Sequence, residues 1–272
     1  MTDIKLFATD LDGTFLRDDK TFDRDLLKLV LKELHQKNKY FVASSGRSFN
    51  GINHVFEDFN RENQIAYVAQ NGGLVMVDGK VIFESNLPSE YLKPLFEAIP
   101  KLSVLPDRVM FEGRTKTFSP SSVGIDFLRW SQKRDPHFEL VENVDQITEP
   151  IQKISMGWSD SDQKLMTQEL ISITGIEGLR TTSSGYGTLD IINDGISKAV
   201  GLQKLGDYLD VHGDEMAAFG DGENDLEMLY YVNSPFVMPN APEFIQKNFT
   251  EAQHALADNN QSGVLRTIDS LI

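Results

Sequence analysis

Along most of this chain, short apolar runs that stop at an acidic or small polar residue alternate with stretches of helical periodicity. That rhythm limits the folds open to it more than any other feature. Lys5 to Thr9 leads straight into Asp10. Thr21 to Gln36 follows, with Leu26, Leu27, Val30, Leu31 and Leu34 on one helical stripe. Tyr40 to Ser44 reads as a second strand, ending in Ser45, Gly46 and Arg47, and Ile65 to Ala69 as a third, ending in the Asn71-Gly72-Gly73 turn. Leu74 to Val77 and Val81 to Glu84 read as a hairpin around Asp78-Gly79. Strand, helix and strand in alternation predict an α/β fold whose parallel sheet is wound by right-handed crossovers.

From about Leu87 to Thr188 the character changes. Ser89 to Ile99, Ser122 to Gln132 and Ser161 to Ile173 read as helices, and Ile151 to Trp158 alternates like a strand with one face exposed. The α/β rhythm then resumes: strand at Leu189 to Ile192, helix at Lys198 to Leu209, strand at Met216 to Gly220, helix at Asp225 to Val232, strand at Phe236 to Met238. The simplest reading is a Rossmann-like parallel-sheet core domain built from residues 1–86 and 189–272, with a smaller α/β domain, residues 87–188, inserted into it.

Composition narrows the function classes. A hydrophobic content of 40% and a charged content of 25% belong to an ordinary globular protein. No apolar run approaches the length of a membrane span, and MTDIKLFATD lacks the basic start and apolar stretch of a secretory signal. Cysteine is absent, which removes disulfides, thiol nucleophiles and Cys-based metal sites. The expectation is a cytoplasmic protein with no membrane partner. A net charge of −15 disfavours nucleic acid, although a small phosphorylated molecule can still bind where a metal and a lysine set the local field. No pattern encodes oligomeric state, so a monomer is the default.

The candidate chemistry sits where strands end. Asp10 and Asp12, within Phe7-Ala8-Thr9-Asp10-Leu11-Asp12-Gly13-Thr14, lie at the C-terminal end of a strand, where open α/β sheets bind ligands. Carboxylate oxygens beside a tight glycine turn suit a hard cation such as Mg²⁺. A plain turn or helix cap uses the same residue types. A Ca²⁺ EF-hand does not fit, because Phe15 stands where its glycine belongs and Thr21 where its glutamate belongs. Phe219-Gly220-Asp221-Gly222-Glu223-Asn224-Asp225 is a second acidic cluster between strand and helix, and Val232 excludes an EF-hand there too. Alone it reads as a loop with a cap; with the first, it places acids on one crevice. Ser45-Gly46-Arg47 offers a hydroxyl and backbone N–H groups to a phosphate, or simply caps a helix. Lys198 enters a helix, and only its place among the other three separates it from a surface lysine.

In this order DLDGT, SSGR, GISK and GDGEND resemble the four motifs of the haloacid dehalogenase-like hydrolase superfamily. Pro235-Phe236-Val237-Met238-Pro239-Asn240-Ala241 is similar to a segment of its Cof-type branch, and the inserted domain is similar in place and size to the α/β cap of Cof-type sugar phosphatases. Asn193-Asp194 stands where relatives often carry Pro, and Arg47 where some sugar phosphatases have Asn. The resemblance implies that Asp10 is the nucleophile and Asp12 the general acid and base. It further implies that Mg²⁺ is held by the carboxylate of Asp10, the backbone carbonyl of Asp12 and the carboxylate of Asp221. Ser45, the N–H of Gly46, Lys198 and Asn224 would hold phosphate oxygens, and Asp225 would orient Lys198 or a metal-bound water. Arg47 and, in the cap, Tyr186 within Ser183 to Thr188, Arg114 and Arg180 are further candidates to face the substrate. Trp130 and Trp158 read as cap core, and His35, His54, His137, His212 and His254 as structural or surface residues. The implied function is a Mg²⁺-dependent phosphatase of small phosphorylated metabolites, sugar phosphates first. A phosphohexomutase-type phosphotransferase and a non-catalytic phosphate sensor are the alternatives, and the presence of both Asp10 and Asp12 speaks against the sensor. A calcium-binding module is weakened by the loop spacing.

Overall fold

The computed structural model describes residues 3–59, 65–124, 127–128, 131, 137–159, 163–183, 188–250 and 253–272. They fall into two units: the first from Met1–Arg47, Gly51–Phe83 and Ser197–Ile272, the second from Ser48–Asn50 and Glu84–Ile196.

The first unit opens with β1 (Leu6–Thr9), β2 (Tyr40–Ser44), β3 (Ile65–Ala69), β4 (Leu74–Val77) and β5 (Lys80–Glu84). Every residue of β1 and β3 is buried, as continuous apolar strands of a two-sided parallel sheet require. β2 shows how both faces are covered. Phe41 joins a ring cluster with Phe15 and Phe56, while the next residue, Val42, packs into a cluster with Leu202 and Leu205 of the helix Lys198–Leu209. Helix Arg24–Gln36 starts where the Asp23 carboxylate accepts from the Leu26 N–H, and buries Leu27, Val30, Leu31 and Leu34. Asp78 and Gly79, with φ of 51° and 71°, make the two-residue turn between β4 and β5.

The second unit carries β6 (Arg108–Gly113), β7 (Thr117–Pro120), β8 (Phe138–Val141), β9 (Ile151–Gly157), β10 (Leu179–Ser183) and β11 (Leu189–Asn193), in the order β10-β11-β9-β6-β7-β8. All neighbours are antiparallel except β7 and β8. Leu92 and Leu95 of helix Ser89–Ala98 and Leu170 of helix Gln163–Thr174 share a core with Val109, Phe111, Ile154 and Met156. The chain then returns to the first sheet with β12 (Met216–Gly220) and β13 (Ser234–Val237), giving the order β13-β12-β1-β2-β3-β4-β5, parallel from β13 through β3.

Two elements differ from the sequence reading. Leu189 to Ile192 was expected to re-enter the core sheet; instead β11 pairs antiparallel with β9 and β10 in the second sheet, and the chain rejoins the first unit at Ser197. Local sequence encodes a strand, whereas its sheet is chosen by distant partners. Ile151 to Trp158 was expected to expose one face, yet β9 is buried throughout, because Lys153 and Ser155 on its polar face meet buried acids from neighbouring strands. Trp158 is buried and its indole N–H donates to the Val104 carbonyl at 3.0 Å. Tyr186, Trp130 and much of Ser122 to Gln132 lie outside the described residues. No helix among the described residues is long and apolar enough to cross a membrane.

Candidate active site

Parallel pairing sets Thr9 beside Phe219 and Ala43, so the chain leaves β1, β12 and β2 at one sheet edge. Asp10 follows β1, Ser45 follows β2, and Asp221 follows β12. The Asp10 N–H donates to the Phe219 carbonyl at 3.0 Å, which ties the start of the loop after β1 to the end of β12. Gly13 turns the DLDGT loop with φ +84°, and a Cβ there would lie 2.4 Å from Asp221 Oδ2. Glycine is required twice over, for the backbone and for the room. The Thr14 hydroxyl then donates to Asp221 Oδ1 at 2.6 Å.

Lys198 is fully buried at the start of its helix, whose N-cap is Ser197. Its Nζ donates to Asp10 Oδ1 and to Asp225 Oδ1, both at 2.6 Å. The other Asp225 oxygen accepts from the Asp221 and Gly222 N–H groups at 3.0 and 2.9 Å. Asp225 therefore ties the lysine to the GDGEND loop with both oxygens.

The electrostatics are unbalanced. Asp10, Asp221 and Asp225 offer carboxylate oxygens within 4.8 Å of one another, and among the described residues the ammonium bonded to this set is that of Lys198. Burial pushes Asp10 well above the carboxylate range, opposed by Lys198 and helped by Asp225 and Asp221. Burial, and after it the repulsion of Asp225, likewise lifts Asp221 to about 6, while the Thr14 bond and Lys198 pull the other way. Burial works against the Lys198 ammonium, but Asp10 and Asp225 outweigh it and hold the group above the usual lysine range. An excess of hard oxygen donors with negative charge left over fits Mg²⁺. Because both Asp225 oxygens are engaged, Asp10 and Asp221 are the carboxylates placed to take it.

A second set surrounds Asp12. Arg47 grips it with Nε on Oδ2 and Nη2 on Oδ1, both at 2.6 Å, and Lys20 Nζ stands 3.3 Å from Oδ1. Ser45 is buried; its Oγ accepts from the Arg47 N–H at 3.2 Å and its N–H donates to the Val68 carbonyl at 2.8 Å. Asn224 donates from Nδ2 to Asn71 Oδ1 at 3.1 Å. Gly46 lies between Ser45 and Arg47 in this loop. Side-chain contacts thus gather Asp10, Asp221, Asp225 and Lys198 into one cluster, Asp12 with Arg47 into another, and Asn224 with Asn71 into a third. In the second unit, Arg114 pairs with Glu84 at 3.5 Å and Arg180 stands on β10. Sequence reading passed over Thr14 and Asn71. The run Gln70-Asn71-Gly72, all buried and all left-handed, is the clue that Asn-Gly meant more than a turn here.

The family model described as haloacid dehalogenase-like hydrolase matches residues 7–268. The 5-amino-6-(5-phospho-D-ribitylamino)uracil phosphatase YbjI of Escherichia coli is 28% identical over 270 residues, covering 99% of this chain and 96% of its own. The phosphatase YitU of Bacillus subtilis, which carries the same substrate in its name, is 27% identical over 271 residues, covering 96% and 95%. Among solved structures, SMU.1108c from Streptococcus mutans superposes with a TM-score of 0.84 at 26% identity, covering 98% of each chain.

Proposed function

The chain belongs to the haloacid dehalogenase-like hydrolase family and is a phosphoric monoester hydrolase; from that premise we propose that it is a Mg²⁺-dependent phosphatase of small phosphorylated metabolites, sugar phosphates first, working through an aspartyl-phosphate on Asp10. The observation that carries this reading is the buried Asp10 carboxylate, paired with Lys198 and flanked by Asp221 where β1 and β12 end side by side.

Held by Lys198, Asp10 keeps one oxygen directed for in-line attack on phosphorus, which divides hydrolysis into formation and breakdown of a covalent intermediate. Asp12 gives a proton to the leaving oxygen and then takes one from the attacking water. Arg47 and Lys20 fix its carboxylate at the loop beforehand. Lys198, Ser45, the Gly46 N–H and Asn224 receive the phosphate oxygens, and Asp225 keeps Lys198 in place. The carboxylates of Asp10 and Asp221 and the backbone carbonyl of Asp12 would hold Mg²⁺, which would supply the charge neutralisation that lets an anionic nucleophile approach an anionic phosphoryl group.

The relatives' substrate is phosphorylated on a sugar-alcohol chain, so 5-amino-6-(5-phospho-D-ribitylamino)uracil is a second candidate alongside hexose and pentose phosphates. The test is phosphate release from this panel and from p-nitrophenyl phosphate, with Mg²⁺ or with EDTA. The reading expects Mg²⁺-dependent release, with kcat/KM ranking the substrates. No release from any of them refutes it, and isomerised sugar phosphate without release would transfer the assignment to a mutase.

A further inference from the structure

One buried turn reaches every element proposed above to hold phosphate. Gln70, Asn71 and Gly72 follow β3 with φ of 51°, 54° and 95°, three consecutive left-handed residues of which two carry side chains. A backbone of this kind persists only when its surroundings hold it. Here the Gln70 N–H donates to the Arg47 carbonyl at 2.9 Å and the Asn71 N–H to the Ser45 carbonyl at 3.0 Å, which fastens the turn to the SSGR loop. Gly72 presses on the start of the Lys198 helix: a Cβ there would lie 1.9 Å from the Ser197 carbonyl oxygen and 3.2 Å from the Lys198 nitrogen. Asn71 itself is buried, and its Oδ1 accepts from Asn224 Nδ2 at 3.1 Å.

Resting on the phosphatase reading, we infer that Asn71 is a positioning residue for the phosphate-binding set. The turn sets the spacing of Ser45 and Lys198, and the Asn71 side-chain oxygen takes one amide proton of Asn224. The second Asn224 amide proton is thereby aimed before phosphate arrives, so binding does not have to order that side chain.

The experiment measures the Kd of inorganic phosphate for the Mg²⁺-loaded protein by calorimetry, with p-nitrophenyl phosphate turnover recorded separately. Asn71→Gly keeps the left-handed backbone and deletes the acceptor. It should weaken phosphate binding roughly tenfold, about as much as Asn224→Ala. The double variant should weaken it little further, because the two residues act as one unit. Asn71→Asp keeps an acceptor and tolerates the left-handed conformation, so the Asn224→Ala penalty should survive in that background. This pair carries the test if the glycine variant does not fold. An undiminished Asn224→Ala penalty in the Asn71→Gly background, loss of that penalty beside Asn71→Asp, or a lowered Tm with unchanged phosphate Kd would each overturn the inference. Wild type that turns over substrate without this coupling defeats the positioning role alone. Coupling without any turnover defeats the phosphatase reading and leaves the role standing, and wild type that binds no phosphate defeats both.

Discussion

Lys198 in the first unit and Lys153 in the second are both buried between carboxylates, and the two clusters differ in where they sit and how their charges balance. Lys153 Nζ lies 2.9 Å from Asp190 and 3.1 Å from Glu112, and the Ser155 hydroxyl reaches both acids at 2.5 and 2.7 Å. These residues face one another mid-strand, in the register Glu112 to Lys153 and Asp190 to Ser155. Burial raises the Glu112 carboxyl, opposed by Lys153 and helped by Asp190. Among the described residues this cluster sets two acids against one ammonium. In the first unit three acids gather beside one ammonium, which bonds two of them, and they stand on loops that follow strands. A buried lysine with its acids can be purely structural; a third acid where parallel strands end adds oxygen donors of the kind a hard cation takes.

The largest effect expected from this contrast is on turnover. Asp10→Asn should lower phosphate release by roughly a thousandfold or more without loss of Tm, since it removes a surplus carboxylate. Asp190→Asn should lower the Tm, because it weakens the 2.9 Å bond that holds the buried Lys153 ammonium; the reverse pattern in thermal melts would break the comparison. Next in size, Lys153→Met should cost about 3–5 kcal/mol in urea unfolding, the scale for leaving a buried charge unpaired. Mg²⁺ should recover none of that loss, whereas it should recover part of the loss caused by Lys198→Met.

A smaller effect is the stabilisation of the unmodified protein by Mg²⁺, about 2.7 kcal/mol at a hundredfold excess over Kd. Its pH dependence follows from the raised Asp221. Without metal, that carboxyl favours the native state below its unfolded value of 3.8, and the contribution is lost as pH rises through about 6. The cation needs the ionised form, so the gain from Mg²⁺ should be full above this range and fade below it, as a Tm series in Mg²⁺ and EDTA would show. The smallest effect belongs to Glu112→Gln. Glu112 contributes stability at low pH that is lost as pH rises through its raised value, so the glutamine variant should show a flatter stability–pH curve, unaltered by Mg²⁺.

Much of the first unit was legible in the sequence because its signals are local. Apolar runs ending at Asp10, Ser45 and Gly220 announce buried parallel strands, and each site motif follows its strand directly. Helix Lys198–Leu209 matched its sequence reading because Ser197 caps it and its end is marked by Asp210 in a left-handed turn. What depends on distant partners was hidden. The membership of β11 rests on pairing with β9 and β10, and the burial of Lys153 on acids 41 residues before it and 37 after it. The grip of Arg47 on Asp12 and the bond from Asn224 to Asn71, 153 residues apart, exist only once the strands are side by side. Asn71 could have been suspected from the Asn-Gly pair, but the kindred Asp-Gly pair at Asp78-Gly79 makes a plain hairpin turn.

The most direct test of the central claim is chemical trapping at Asp10. Protein quenched while turning over p-nitrophenyl phosphate in Mg²⁺ is reduced with borohydride, which converts an aspartyl-phosphate to homoserine, and the peptide containing residue 10 is weighed. The account predicts homoserine at position 10, absent when substrate is omitted and absent in Asp10→Asn. Steady turnover with Asp10 unmodified, or an Asp10→Asn variant that still releases phosphate at the wild-type rate, would contradict it.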